Sequence, residues 1–327
     1  MKISYNTDFG HLNRNVGYGE AGYQIIQSLQ RLGHQVFFND GRPDVEIFFS
    51  QPEYWEFSRK DQYKIGYAPW ESSEIPDYWL QHLGQADEVW TTSPQCQKWF
   101  EECGVDGVKV YPHGLDAIWT PQRRVVKDKL TFLHVGEPAK RKDAQLVVDI
   151  FMELFADNNE VELIIKGQNT NTTVVRNKSG DTVGSVAEVN NIKVITDDIP
   201  IDELVDLYKS AHCLVYPSWG EGFGFIPLQA MGTGMPTICT AEWAPYKNYL
   251  HDLAIDSTIQ PSPWPEMHPG NMFKPDKNHL KAKMLDVYEN YANYSDIFYN
   301  QAALVHEEYN WDTLTKEAFK NIVKVFG

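Results

Sequence analysis

The residues best suited to chemistry lie in Ser218-Trp219-Gly220-Glu221-Gly222-Phe223-Gly224-Phe225-Ile226-Pro227-Leu228-Gln229-Ala230-Met231-Gly232-Thr233-Gly234-Met235-Pro236. Gly220, Gly222 and Gly224 clear side chains from a turn. Backbone N–H groups can then meet an anion at the start of the following helix, where unpaired donors and the helix dipole favour negative charge. Glu221 is itself negative, so it suits hydroxyl groups, from which it accepts hydrogen bonds, better than phosphate. The run Cys213-Leu214-Val215-Tyr216-Pro217 is short, apolar and β-branched and reads as an inner strand that Pro217 stops. The plain alternative is a glycine-rich strand-to-helix turn with a solvated Glu.

A second stretch, Leu133-His134-Val135-Gly136-Glu137-Pro138-Ala139-Lys140-Arg141-Lys142-Asp143, places three cations between a strand and a helix. Fixed cations beside a departing phosphate stabilise the charge that develops as its bond breaks more than they stabilise the ground state. A solvated basic turn is the other reading. Gly17-Tyr18-Gly19-Glu20-Ala21-Gly22 satisfies Gly-x-Gly-x-x-Gly, with Asp40 at about the distance of a ribose-binding acid. Eleven residues separate it from the first strand, whereas a dinucleotide site needs the glycines at once, so the spacing argues against NAD. There is no zinc-type ligand spacing, no Gly-x-x-x-x-Gly-Lys loop and no Gly-x-Ser-x-Gly turn.

The glycine turn and its acidic spacing resemble the retaining nucleotide-sugar glycosyltransferases of family 4, whose second domain carries one acidic residue, seven others, then another. The resemblance is strongest over 200–240, moderate over 85–145 and weak over 1–80. It implies a GT-B fold: α/β, two Rossmann-like domains facing a central cleft, with a C-terminal helix crossing back to the first. By resemblance Glu221 contacts the donor sugar and Gln229 stands where an acid would contact the ribose, an amide in place of a carboxylate. Lys142 matches the family's diphosphate-binding lysine. Glu137 occupies the place of its arginine, a cation that Arg141 would supply instead. Gly222, Phe223 and Gly224 would lend backbone N–H groups to the donor, and Gly17 and Gly19 would belong to a mobile cover over the donor sugar and acceptor. Tyr111-Pro112-His113-Gly114-Leu115-Asp116, with Trp119 and Pro121, looks like the family's domain junction, where His113 either reaches the donor or serves as a hinge. On the acceptor side, Trp70 and Glu71 follow a strand. Trp70 either contacts an acceptor or packs on the next helix, and Glu71 would orient a hydroxyl.

These residues need a scaffold that brings loops to one edge, and the patterning supplies it. Apolar runs at 2–5, 35–38, 45–49, 64–69, 88–92 and 108–111 read as strands. Ile25, Leu29 and Leu32 mark a helix that Gly33 stops, and another is expected over 95–103. The rhythm recurs with strands at 130–135, 161–166, 192–196, 213–217 and 236–240 and helices at 143–156, 200–210 and 226–233. Residues 168–190 read as a loop or weak hairpin, and Pro261-Ser262-Pro263-Trp264-Pro265 as irregular. Trp311, Leu314, Ala318, Ile322 and Val325 give a last helix with one apolar face. The expected domains are 1–122 on the acceptor side, 123–305 binding the nucleotide sugar, and 306–327 packing back, with the join in Thr120-Pro121-Gln122-Arg123-Arg124.

Length and charge bound the function. The 327 residues have room for two cores of ordinary composition, with 42% hydrophobic residues. No apolar run spans a bilayer, the beginning does not read as a signal peptide, and the four cysteines read as reduced thiols, so a cytoplasmic enzyme is expected. A net charge of −16 disfavours nucleic acid as a partner, and residues 1–125 hold 11 basic against 17 acidic side chains. The expectation is a retaining hexosyltransferase that uses a UDP- or GDP-hexose and an acceptor hydroxyl. The absence of Asp-x-Asp implies no metal, and no cofactor is expected. The alternatives are glucosylation of hydroxylated bases in phage-type DNA, a sugar-nucleotide epimerase, or an inactive sugar-nucleotide-binding protein.

Overall fold

Short apolar runs alternating with amphipathic ones fold here as parallel strands joined by crossover helices. The computed structural model describes the chain except residues 8–11, 15, 40–41, 58–60, 138, 168–173, 177–181, 186–188 and 190. Asp40 and Pro138 therefore lie outside the described residues, as does most of the segment 168–190.

The first unit contains β1 (Lys2–Asn6), α1 (Gly17–Arg31), β2 (Gln35–Phe38), β3 (Val45–Phe49), β4 (Tyr63–Tyr67), α2 (Leu80–Leu83), β5 (Glu88–Thr91), α3 (Pro94–Glu102) and β6 (Lys109–Val110). Its sheet runs β2-β1-β3-β4-β5-β6 with every pairing parallel. The start of α3 shows the local logic. Ser93 caps it by accepting from the Cys96 N–H, and Pro94 occupies the first turn, where no N–H is needed.

The second unit contains β7 (Leu130–Val135), α4 (Ala144–Phe155), β8 (Val161–Lys166), an antiparallel pair β9 (Val174–Arg176) and β10 (Thr182–Ser185), β11 (Ile192–Ile195), α5 (Ile201–Ser210), β12 (Cys213–Tyr216), α6 (Phe225–Gly232), β13 (Thr237–Thr240) and β14 (Ala254–Ile255). Its sheet, also parallel, runs β11-β8-β7-β12-β13-β14. The order reverses beside β7. The chain leaves β7 toward β8 on one side, while β12 flanks it on the other, so the loops after β7 and β12 diverge and open a crevice at the carboxyl ends of the strands. Those two loops are the cation stretch and the glycine turn.

The strands β15 (Ser257–Pro261) and β16 (Asn271–Pro275) pair antiparallel. The prolines 261, 263 and 265 hid this ribbon from a sequence reading, since only its linker is irregular. Then α7 (Lys277–Glu308) leads to α8 (Trp311–Phe326), with non-helical backbone at Asn290 breaking the long α7. Trp311, Phe319 and Ile322 of α8 bury themselves in the core of the first unit, where each stabilises by about 1.5–3 kcal/mol. Asp312 accepts from Ser28 Oγ at 2.7 Å and pairs with Arg31 on α1. The last helix thus crosses back to the first unit. Among the described residues no helix is long and apolar enough to cross a membrane.

Candidate active site

The loops after β7 and β12 are bonded to each other. Gly136 has φ +150°, and a Cβ there would lie 2.8 Å from Lys142 Cδ, so the glycine lets Lys142 fold back over the end of β7. Asp143, with φ +52°, caps α4 by accepting from the Leu146 N–H and also takes the Trp219 indole N–H at 3.0 Å. The Trp219 N–H donates to the Arg141 carbonyl at 2.8 Å, and the Arg141 guanidinium donates to the Gly220 carbonyl at 2.8 Å.

Glu221 is the hub of this junction. Its Oε1 accepts from Arg141 at 2.5 Å, Ser218 Oγ at 2.7 Å and the Tyr216 hydroxyl at 2.8 Å, with Lys142 Nζ 3.7 Å away. Lys142 in turn donates to the Tyr216 hydroxyl at 2.9 Å. Burial would raise the carboxyl pKa, but Arg141 and then Lys142 outweigh it and hold Glu221 at about 2, fully ionised near neutrality. Burial pulls the Lys142 ammonium down, with Glu221 opposing. Two cations and a carboxylate therefore share one buried cluster at the switch point of the sheet.

Gly224 has φ +83° and precedes α6. Any Cβ there would fall 2.5 Å from the Tyr246 hydroxyl and 2.6 Å from Trp243, so the turn requires glycine. The Phe225 and Ile226 N–H groups occupy the first turn, whose donors lack intrahelical acceptors by position, and Pro227 has no donor to satisfy. Gly220 and Gly222 do more than bare the backbone. A Cβ on Gly220 would lie 2.2 Å from the Glu71 carbonyl oxygen, and one on Gly222 2.4 Å from Pro69 Cβ. The Gly222 carbonyl also accepts from Thr92 Oγ1 at 2.6 Å and from Cys96 Sγ at 3.1 Å. The turn therefore doubles as a contact between the two units.

A cleft of about 460 Å³ opens between the units, and Gly17, Glu71, His113, Lys142, Glu221 and Gln229 are on its wall, as are Arg141, Gly222, Phe223 and Gly224. Glu71 reaches across to the second unit, 3.5 Å from Arg141 and 3.5 Å from His268 Nδ1. His113 is buried, with Nδ1 3.1 Å from the Tyr67 hydroxyl, and its ring stacks on Phe225 at 4.8 Å and 3°. Burial pushes its pKa down to about 3, so it is neutral near pH 7. Gln229, 8% exposed, faces the cleft from α6.

Two expectations are corrected. Trp70 is not an exposed platform: it is 2% exposed, off the cleft wall, packed on Trp79 at 4.5 Å, and its indole N–H donates to the Glu74 carbonyl at 2.8 Å. Core packing satisfies both its ring and its polar edge. Gly17 and Gly19 do not form a cover loop but open α1; a Cβ on Gly19 would lie 2.0 Å from the Asn13 carbonyl oxygen, so that glycine lets the preceding chain press on the helix. Gly17 alone of the two faces the cleft.

Sequence reasoning missed Tyr216, Ser218 and His268. The first two had a signal, since they immediately precede the glycine turn at the end of a strand. His268 had none, because only the β15–β16 linker brings it to Glu71. Lys166 was also missed, concealed as the last residue of an apolar strand.

Comparison with known proteins agrees with this geometry. Residues 129–252 match the family model described as glycosyl transferases group 1. The O-antigen chain mannosyltransferase B of Escherichia coli is 45% identical over 42 residues, which cover 13% of this chain and 11% of that protein's length. Among solved structures, sucrose-phosphate synthase from Thermosynechococcus elongatus superposes with a TM-score of 0.72 at 14% identity, covering 100% of this chain and 99% of that one. HepE from Anabaena, solved with UDP and glucose, gives 0.65 at 13% identity over 99% and 100%. WaaG, a glycosyltransferase involved in lipopolysaccharide biosynthesis, gives 0.60 at 11% identity over 97% and 98%. At such identities the superpositions speak for the fold, and the family match speaks for the second unit. Two parallel sheets facing one cleft give the chain the GT-B fold of these structures, and its second unit, which holds Glu221, matches the glycosyl transferases group 1 model.

Proposed function

We propose that this protein is a glycosyltransferase that moves a hexose from a UDP- or GDP-sugar to an acceptor hydroxyl with retention of anomeric configuration and without a metal ion. The observation that carries the reading is the cluster of Glu221, Arg141 and Lys142 at the switch point, beside the first turn of α6.

In this reading Lys142 and Arg141 turn toward the diphosphate when the donor arrives, helped by the N–H groups at the start of α6. Glu221, ionised and buried, accepts hydrogen bonds from the sugar hydroxyls, and Gln229 accepts one from the ribose. The acceptor enters from the first unit, where Glu71 orients its hydroxyl. The bond between the anomeric carbon and the phosphate oxygen breaks, and the acceptor oxygen bonds to the same face of that carbon. As in the front-face route proposed for the resembled family, the acceptor proton passes to the leaving phosphate. Catalysis then rests on positioning and on stabilising separated charge. Contacts between the units at Gly220 and Gly222 support a closed cleft that excludes water.

The test is to screen UDP- and GDP-hexoses against a panel of sugar and glycan acceptors with EDTA present, and to read the product anomer by NMR. Retention with EDTA is the expected result. An inverted product, strict dependence on added metal, or full turnover by Glu221→Ala overturns the reading.

A further inference from the structure

Lys166 ends β8 beside the same crevice. It is paired in register with Val135 and Ile195, and its carbonyl accepts from the Gly136 N–H at 2.9 Å. The residue is 8% exposed and lines the cleft, yet among the described residues its ammonium makes no hydrogen bond or ion pair. Its stem is packed while the ammonium stays open to the cleft, where a ligand can supply the acceptor. The same part of the wall carries Asp198, three residues beyond Ile195, with Ile199, Leu204 and Tyr208 around it.

The strand order says what reaches this corner. With the sugar at Glu221 after β12 and the diphosphate at Lys142 after β7, a donor continuing along the crevice arrives at the ends of β8 and β11, where Lys166 and Asp198 stand. That leaves the nucleobase there, between the apolar side chains of Ile199, Leu204 and Tyr208.

We propose that Lys166 and Asp198 are specificity-determining contacts that select guanine, an inference that rests on the nucleotide-sugar reading above. Lysine only donates and a carboxylate only accepts. Guanine presents an acceptor, O6, beside two adjacent donors, N1–H and the N2 amine. Lys166 meets the first and Asp198 the pair. Uracil presents one donor, N3–H, flanked on both sides by carbonyl oxygens that repel a carboxylate. Adenine and cytosine offer a carboxylate a single amine beside a ring acceptor.

Calorimetric titration of the full chain with GDP, UDP, ADP and CDP tests this. GDP is expected to bind at least about tenfold more tightly than the others, the discrimination of one good bidentate base contact. Lys166→Met keeps the packed stem and removes the charge; it should bring GDP down to the level of the other three while leaving theirs in place, and Asp198→Asn should do the same. Because Lys166→Met keeps the packed stem and removes only a cleft-facing charge, its melting temperature should stay within a few degrees of the parent's, which separates lost contact from lost fold. UDP binding as tightly as GDP overturns the guanine assignment. Equal weakening of all four by Lys166→Met also overturns it and moves that ammonium to the phosphates. If the folded parent binds none of the four, the nucleotide-sugar reading itself fails and takes the base assignment with it.

Discussion

Replacing Glu221 with Gln keeps the shape of the hub and deletes its charge, and the cost follows from its surroundings. The carboxyl pKa falls from an ordinary 4.5 to about 2, because Arg141 and Lys142 outweigh the burial that would raise it. A depressed carboxyl contributes stability that is fully present above its unfolded value and is lost as pH falls through its folded one. That contribution is about 3 kcal/mol at pH 7 and falls to about 1 kcal/mol at pH 3. Glu221→Gln should therefore unfold about 3 kcal/mol more easily than the parent at pH 7, with the gap closing to about 1 kcal/mol at pH 3, by urea denaturation followed through tryptophan fluorescence. Sugar transfer should be lost in the same variant. Binding of a nucleoside diphosphate without sugar should be retained or tightened, because Arg141 and Lys142 no longer answer to an internal carboxylate. A stability gap below about 1 kcal/mol at pH 7, or one that does not narrow in acid, refutes the electrostatic account.

Other expectations follow from single contacts. Gly222→Ala places a methyl group 2.4 Å from Pro69 Cβ, so the units must part slightly; turnover should fall by about tenfold or more while the melting temperature moves by only a few degrees, as read by activity and thermal shift. Gln229→Glu gives the ribose position a charged acceptor and should tighten donor binding by about 1 kcal/mol, or about fivefold, in a calorimetric titration. Because burial holds His113 at about pH 3, its charged form is absent above pH 5; the profile of kcat between pH 5 and 8 should be the same for His113→Phe as for the parent, whatever the change in its height.

The local parts of the site were legible because they are continuous in sequence. The glycines from 220 to 224, the apolar run from Cys213 and the cations at 140–142 announce a turn, a strand and a basic loop wherever they occur, and parallel topology then places their loops together. What was illegible depends on partners distant along the chain. Glu71 touches Arg141 seventy positions away, and nothing in either residue's neighbourhood encodes the encounter. Trp70 reads the same whether its ring faces a ligand or Trp79. Gly17 and Gly19 read as loop formers, yet both open a helix, and at Gly19 the close approach of the Asn13 backbone is what requires glycine there. The ribbon of β15 and β16 was masked because proline near a strand end lowers any local expectation of pairing.

The return of α8 to the first unit has a bearing on biogenesis. Trp311, Phe319 and Ile322 complete a core whose other members come from the opening third of the chain. During synthesis that early segment emerges long before its missing wedge, and must wait with an uncovered apolar surface while the whole second unit is translated. The unit made first is thus the one finished last, and the newborn chain is at its most adhesive in that interval.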